Sequence, residues 1–233
     1  MAGTRGALMG LILVFGTAYG QSAPAAGTRT QPAVSPEGRD SLKITLRMYN
    51  YGVARSTLVQ AEGKATAILN EAGLEAAWVD CPATPAEFKS YPACQSPLGT
   101  TDFAVKLVTA DAPDRFHSQH ETMGRAMPCA RDQAGCSAYV FYRKVLEVAA
   151  DGIADSSQVL SHAMVHEIGH LLLGPNSHTP QGIMRGRWQR QDLETIAKGH
   201  LAFTELQSEH IREEMRQRSA VQQAQLPTTG TNQ

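Results

Sequence analysis

The sequence predicts an α+β domain, a mixed twisted sheet packed on two main helices with one further helix near the C-terminus. Three observations carry this expectation. Apolar and polar side chains alternate through Leu42, Ile44, Leu46 and Met48, the period of a half-buried strand. A helical apolar pattern and then a second strand follow, an order that implies a right-handed crossover and a parallel pair. Further on, residues 155–173 make a largely apolar helix, interrupted on one face by His166, Glu167 and His170.

Taken in order, residues 1–20 read as a secretory signal. Arg5 is the charged start, residues 7–15 the apolar stretch, and Ala18-Tyr19-Gly20 a small-residue cleavage site. The apolar run is short for a membrane span, so no stable membrane insertion is expected after cleavage, a signal anchor being the alternative. The chain is therefore expected to be secreted or periplasmic. Residues 21–40, rich in Ala, Pro, Gly, Ser and Thr, read as a flexible linker, and the folded domain is expected over 41–218. The first strand is expected over 42–51. Ser56 is the expected N-cap of a helix that buries Leu58, Ala61, Ala65, Ile68, Leu69 and Ala72, and Gly73 is its stop. Strands over 75–79 and 102–108 flank a proline-containing loop, 82–98. Residues 110–136 read as a long loop carrying His117, His120 and Met123, and loops of such length are often functional. The two histidines there are either metal-binding or merely exposed. A fourth strand spans 137–142. Thr204 and Gln207 form a capping-box-like start for a last helix over 204–218, with Leu206, Ile211 and Met215 on its apolar face. Residues 219–233, rich in Gln, Thr and Ala, are expected to form a disordered tail.

A hydrophobic fraction of 42% is that of an ordinary globular chain. Loss of the signal removes Arg5 from 21 basic residues and no acidic one, leaving 20 basic against 22 acidic. No basic footprint for nucleic acid results, and a monomer is expected. Cys81, Cys94, Cys129 and Cys136 are an even set, which in a secreted chain favours two disulfides. Of three pairings, Cys81–Cys94 with Cys129–Cys136 is preferred, because each closes a short loop containing Pro or Gly. A four-cysteine zinc site lacks the close C-x-x-C pairs it would need.

The chemistry concentrates in Val165-His166-Glu167-Ile168-Gly169-His170-Leu171-Leu172-Leu173-Gly174, followed by His178 and Gly182-Ile183-Met184. Histidines four apart share one helix face, so both can reach a single zinc ion while the helix stays intact. Glu167 is placed to act as a general base without ligating. The third ligand has several candidates. His162 lies on the same face, but it is eight residues from His170, roughly 12 Å of helix rise, whereas each zinc ligand stands about 2 Å from the ion. A packed histidine is the better reading of it. His178 is favoured, with Glu194 or Asp192 as carboxylate competitors. Arg185, Arg187, Trp188 and Arg190 either line a substrate pocket or form a solvated basic loop.

At these residues the chain resembles the metzincin clan of zinc peptidases, whose motif is H-E-x-x-H-x-x-G-x-x-H with a methionine turn. His166 and His170 match the first two ligands, Glu167 the catalytic glutamate, Gly174 the turn glycine, His178 the third ligand and Met184 the methionine. Gly174 comes one residue late and His178 two residues late, and the methionine follows unusually soon. Small secreted bacterial proteins sharing H-E-I-G-H-L-L-L-G and G-I-M look most similar. The motif covers residues 165–184, and a weaker likeness of layout extends over 42–216. The resemblance implies a zincin-like fold, a Zn2+ cofactor, a peptide or protein substrate, and hydrolysis by water that Glu167 deprotonates. It also implies a sheet edge ahead of the active-site helix that pairs with extended substrate; the strand at 137–142 takes that role or lies inside the sheet. A zinc-binding protein without turnover and a non-peptide metallohydrolase are the competing expectations.

Overall fold

The protein, described by a computed structural model over residues 41–109 and 122–225, is built on one five-stranded sheet. β1 (Leu42–Tyr51) leads into α1 (Arg55–Glu71) and β2 (Leu74–Cys81). A 3-10 turn, Pro85–Ser90, and the short α2 (Pro92–Gln95) occupy the expected proline loop. β3 (Asp102–Val108), β4 (Gly124–Met127), β5 (Ser137–Phe141) and α3 (Tyr142–Ala149) follow. The described residues end with α4 (Ser156–Leu173), α5 (Arg190–Ala197) and α6 (Glu205–Gln225).

The strand order is β2-β1-β3-β5-β4, parallel throughout except for β4, which runs antiparallel to β5. Alternation places Ile44, Leu46 and Met48 of β1 with Phe103, Val105 and Leu107 of β3 on the covered face, where all are fully buried. α1 presents Leu58, Ala61, Ala65, Ile68 and Leu69 to the same core. It packs against α4, which is apolar almost all round and buried on nearly every side. Two helices beneath a mixed sheet is the expected zincin-like α+β arrangement, with α6 as the additional C-terminal helix.

Several local expectations are revised. Ser56 does not cap α1. The flanking residue is Ala54, and the turn before it is held by the Asn50 side chain, whose oxygen accepts from the N–H groups of Gly52 and Val53. Residues 124–127, expected in a loop, form β4. Four residues, Gly-Arg-Ala-Met, are too few and too poor in β-branched side chains to register as a strand. β4 takes the sheet edge, so β5 is interior. α3 begins where β5 ends, without a turn residue to announce it. α6 runs to Gln225, past the expected end at 218, so residues 219–225 are helical and not part of a disordered tail. Polar anchors explain the extension: Gln222 accepts from the Thr101 N–H at 3.1 Å, and the buried Arg218 donates to Thr100 and Cys129 carbonyls at 3.3 and 3.2 Å. The pairings Cys81–Cys94 and Cys129–Cys136 are both present. Residues 1–40, expected to be a signal and linker, His117 and His120, and residues 226–233 lie outside the described residues.

Candidate metal centre

α4 starts from a reciprocal cap. Asp155 Oδ1 accepts from the N–H groups of Ser157 and Gln158 at 2.8 and 2.9 Å, and Gln158 Oε1 accepts from the Asp155 N–H at 2.9 Å. The helix ends at Gly174, whose φ of +93° suits a residue without Cβ. Between these stops, the four-residue spacing aims His166 and His170 in one direction. The loop after Gly174 then returns His178 to them.

The three histidines converge on one point. Their Nε2 atoms stand 3.2 Å (His166–His170), 3.0 Å (His170–His178) and 3.3 Å (His166–His178) apart. Tetrahedral imidazole ligands at zinc bond lengths stand about 3.3 Å from one another. Tautomers follow from the other ring nitrogens. His166 Nδ1 lies 2.7 Å from the Ile183 carbonyl and His170 Nδ1 3.2 Å from that of Gly174. A carbonyl only accepts, and the Ser177 hydroxyl, 3.0 Å from His170 Nδ1, gives its own hydrogen to the Gly174 carbonyl, so both Nδ1 atoms carry hydrogen and both Nε2 atoms present lone pairs. Those lone pairs face each other at 3.2 Å, and a single hydrogen from His178 cannot satisfy both. A cation can. Burial adds to this by holding His166 neutral, its pKa pushed down to about 4, and by lowering that of His170. Among the described residues, this trio is the one group of His, Cys, Asp and Glu side chains able to hold a metal ion.

The remaining ligand candidates are engaged elsewhere. His162 Nδ1 turns back to the Gln158 carbonyl at 2.7 Å, and its ring stands edge-on to Trp188. Asp192 accepts from Arg185 and from the Gln189 N–H, which starts α5. Glu194 pairs with Arg190 on the surface.

Glu167 is buried beside the trio, 6% exposed, and burial pushes its carboxyl up to about 8, opposed by the Ala126 backbone N–H that it accepts. Its space is made by Gly124, where a Cβ would fall 2.6 Å from Glu167 Oε1. β4 is therefore fitted against the carboxylate at two positions. Met184 is fully buried against Gly169, whose missing Cβ would overlap Sδ. Trp188 Nε1 donates to the Ile183 carbonyl at 3.2 Å, the same oxygen that orients His166. Beyond the trio opens a cleft of about 820 Å³ with β4 on one wall, α3 on another, and Trp188, Arg187 and Arg190 on a third. Arg185, Arg187, Trp188 and Arg190 thus border the cleft, though Arg185 is paired with Asp192 at 2.9 Å.

Gly124, Ala126 and the Ile183 carbonyl escaped sequence reasoning. Two act through the backbone and one through an absent side chain, so none carries a residue-type signal. For Gly124, the cue available was a glycine just before a short extended run.

No family model matches the chain, and no curated protein matches it. Among solved structures, the archaemetzincin of Methanopyrus kandleri is similar at 13% identity with a TM-score of 0.51, covering 77% of this chain and 99% of that one. Metalloproteinase-II of Bacteroides fragilis matches at 12% identity and a TM-score of 0.47, over 77% of this chain and 55% of that one. A Thermotoga maritima protein solved in solution matches at 16% identity and a TM-score of 0.33, over 79% and 99% of the two chains. The archaemetzincin likeness is one of fold. The chain has a zincin-like α+β fold with three histidines able to hold a metal.

Proposed function

We propose that this protein is a secreted zinc-dependent metalloendopeptidase in which His166, His170 and His178 hold the ion and Glu167 is the general base. The convergence of three Nε2 atoms beside a buried carboxylate carries the reading. Zinc is the metal expected from an all-imidazole set, and three protein ligands leave a position open, as catalytic sites do. When bound, zinc supplies a Lewis acid that polarises a carbonyl and makes water acidic near neutral pH. Glu167 accepts the proton of the attacking water on a carboxylate oxygen and later delivers it to the leaving amine nitrogen. In the metal-free protein burial pushes this carboxyl up to about 8, and the positive charge of a bound cation beside it would favour the ionised form that accepts the proton.

β4 supports a peptide substrate. Phe141 N–H donates to the Met123 carbonyl at 2.8 Å, so alternate residues of β4 bond β5 and those between turn outward. The backbone groups of Gly124 and the carbonyl of Ala126 therefore point off the sheet edge into the cleft, where an extended chain can pair with them, while the Ala126 N–H is held by Glu167. Secretion is supported by the signal-like start and the two disulfides, which belong to an oxidising compartment. Among the described residues, no helix is long and apolar enough to cross a membrane.

The test is zinc content and cleavage of a broad peptide library by wild type beside Glu167→Gln. One zinc per chain in both, with chelator-sensitive cleavage in wild type alone, is the expected result. Zinc without cleavage in wild type would leave a metal-binding protein and remove the peptidase reading.

A further inference from the structure

We infer that Gln207, in the first turn of α6, is a positioning residue for the third histidine of the trio; this rests on the three-histidine metal reading. His166 and His170 are set by α4 itself. His178 stands on the connection after it, so its place depends on what holds that connection. The loop is tied at the next residue. Thr179 N–H donates to the Met184 carbonyl at 3.0 Å, and its hydroxyl donates to the Gln181 carbonyl at 2.8 Å. The same hydroxyl accepts from Gln207 Nε2 at 3.1 Å.

Gln207 is buried, 6% exposed, and both ends of its amide are used. Its oxygen accepts from the Thr204 N–H at 2.9 Å, closing the start of α6, and its nitrogen reaches the loop. The other arm of the loop is held by the same stretch of chain, through Ile183 N–H to the Ala202 carbonyl at 2.9 Å. Gly182 lies so close to that carbonyl that a Cβ would stand 3.1 Å from it. The capping amide of the last helix thus doubles as the outside brace of the histidine loop. A longer connection costs more entropy to order, and the brace offsets part of that cost. Removing Nε2 leaves His178 more conformations and so weakens the metal, while α6 keeps its apolar anchors Ile211 and Met215.

The experiment measures zinc affinity of the intact protein by competition with a chromophoric chelator, alongside the thermal midpoint of the metal-free form. Gln207→Leu and Thr179→Val are each expected to weaken zinc by about tenfold or more, the range for groups that orient ligands. The double variant should lose less than the sum of the two single ones, because the Gln207–Thr179 bond is lost in both. Gln207→Glu still accepts from the Thr204 N–H but offers no donor to Thr179, whose one hydroxyl hydrogen goes to Gln181, so it should keep the helix start and weaken zinc as Gln207→Leu does. Ile211→Ala is the control for helix stability, expected to lower the midpoint and leave affinity within about twofold. Wild-type affinity in Gln207→Leu and Thr179→Val, or equal weakening by Ile211→Ala, would overturn the positioning role. Absence of zinc binding by wild type would instead overturn the metal reading on which it stands.

Discussion

Glu167 shows how much of the site depends on atoms that are missing. A carboxylate this buried needs a neighbour that yields space and a donor that limits its desolvation, and Gly124 and the Ala126 N–H supply these from one short strand. Gly124→Ala places a methyl group where the carboxyl lies, so Glu167 must turn or β4 must move. Proton transfer is sensitive to displacements of this size, and turnover should fall by roughly a hundredfold. Zinc content should stay at one per chain, because the three histidines do not touch residue 124. Single-turnover cleavage beside metal analysis checks this, and full activity in Gly124→Ala would show that the carboxylate has room to adjust.

At the scale of elements, α4 is both the core of the domain and the carrier of the histidines, so its ends determine its register. The capping box between Asp155 and Gln158 joins three hydrogen bonds at the N-terminus. Burial raises the Asp155 pKa, but bonds from the Ser157 hydroxyl and two backbone N–H groups outweigh it and leave the carboxyl below its usual value. A depressed folded-state pKa contributes stability above the unfolded value that is lost as pH falls through the folded one. Asp155→Ala should therefore cost about 1 kcal/mol near neutral pH, and the difference from wild type should shrink under acid. Urea unfolding of the metal-free protein at neutral and acidic pH reads both quantities. A gap that widens on acidification would contradict the sign.

At the scale of the molecule, α6 is fastened at both ends by polar groups with few apolar ones between them. Near its end, Arg218 is 2% exposed, pairs with Glu214 at 2.8 Å, donates to the carbonyls of Thr100 and Cys129, and lies over the Phe103 ring. It joins the last helix to the start of β3 and to the Cys129–Cys136 loop. Arg218→Met keeps the bulk and strands the two carbonyls, while Glu214 keeps its pair with Arg131 at 2.8 Å, so a loss of roughly 2 to 3 kcal/mol is expected. Thermal unfolding should reveal it. A change below about 1 kcal/mol would mean that the acceptors are rehydrated without penalty.

What the sequence determined by itself was local and side-chain encoded. The strands at 42–51 and 102–108, the helix from Asp155 to Leu173 and the placing of two histidines on one of its faces follow from periodicity and helical geometry, which need only neighbours along the chain. The disulfide pairs also followed, because short loops leave few ways to close. Tertiary structure decided the rest. It chose His178 over His162, Asp192 and Glu194 as the side chain meeting His166 and His170, because that choice turns on where a loop returns and what else engages each competitor. It put β4 at the edge and β5 inside, an outcome of strand pairing across residues far apart in sequence. It made Gly124, the Ala126 N–H and the Ile183 carbonyl part of the site. Backbone groups are common to every residue, so only their arrangement in space distinguishes these from the others.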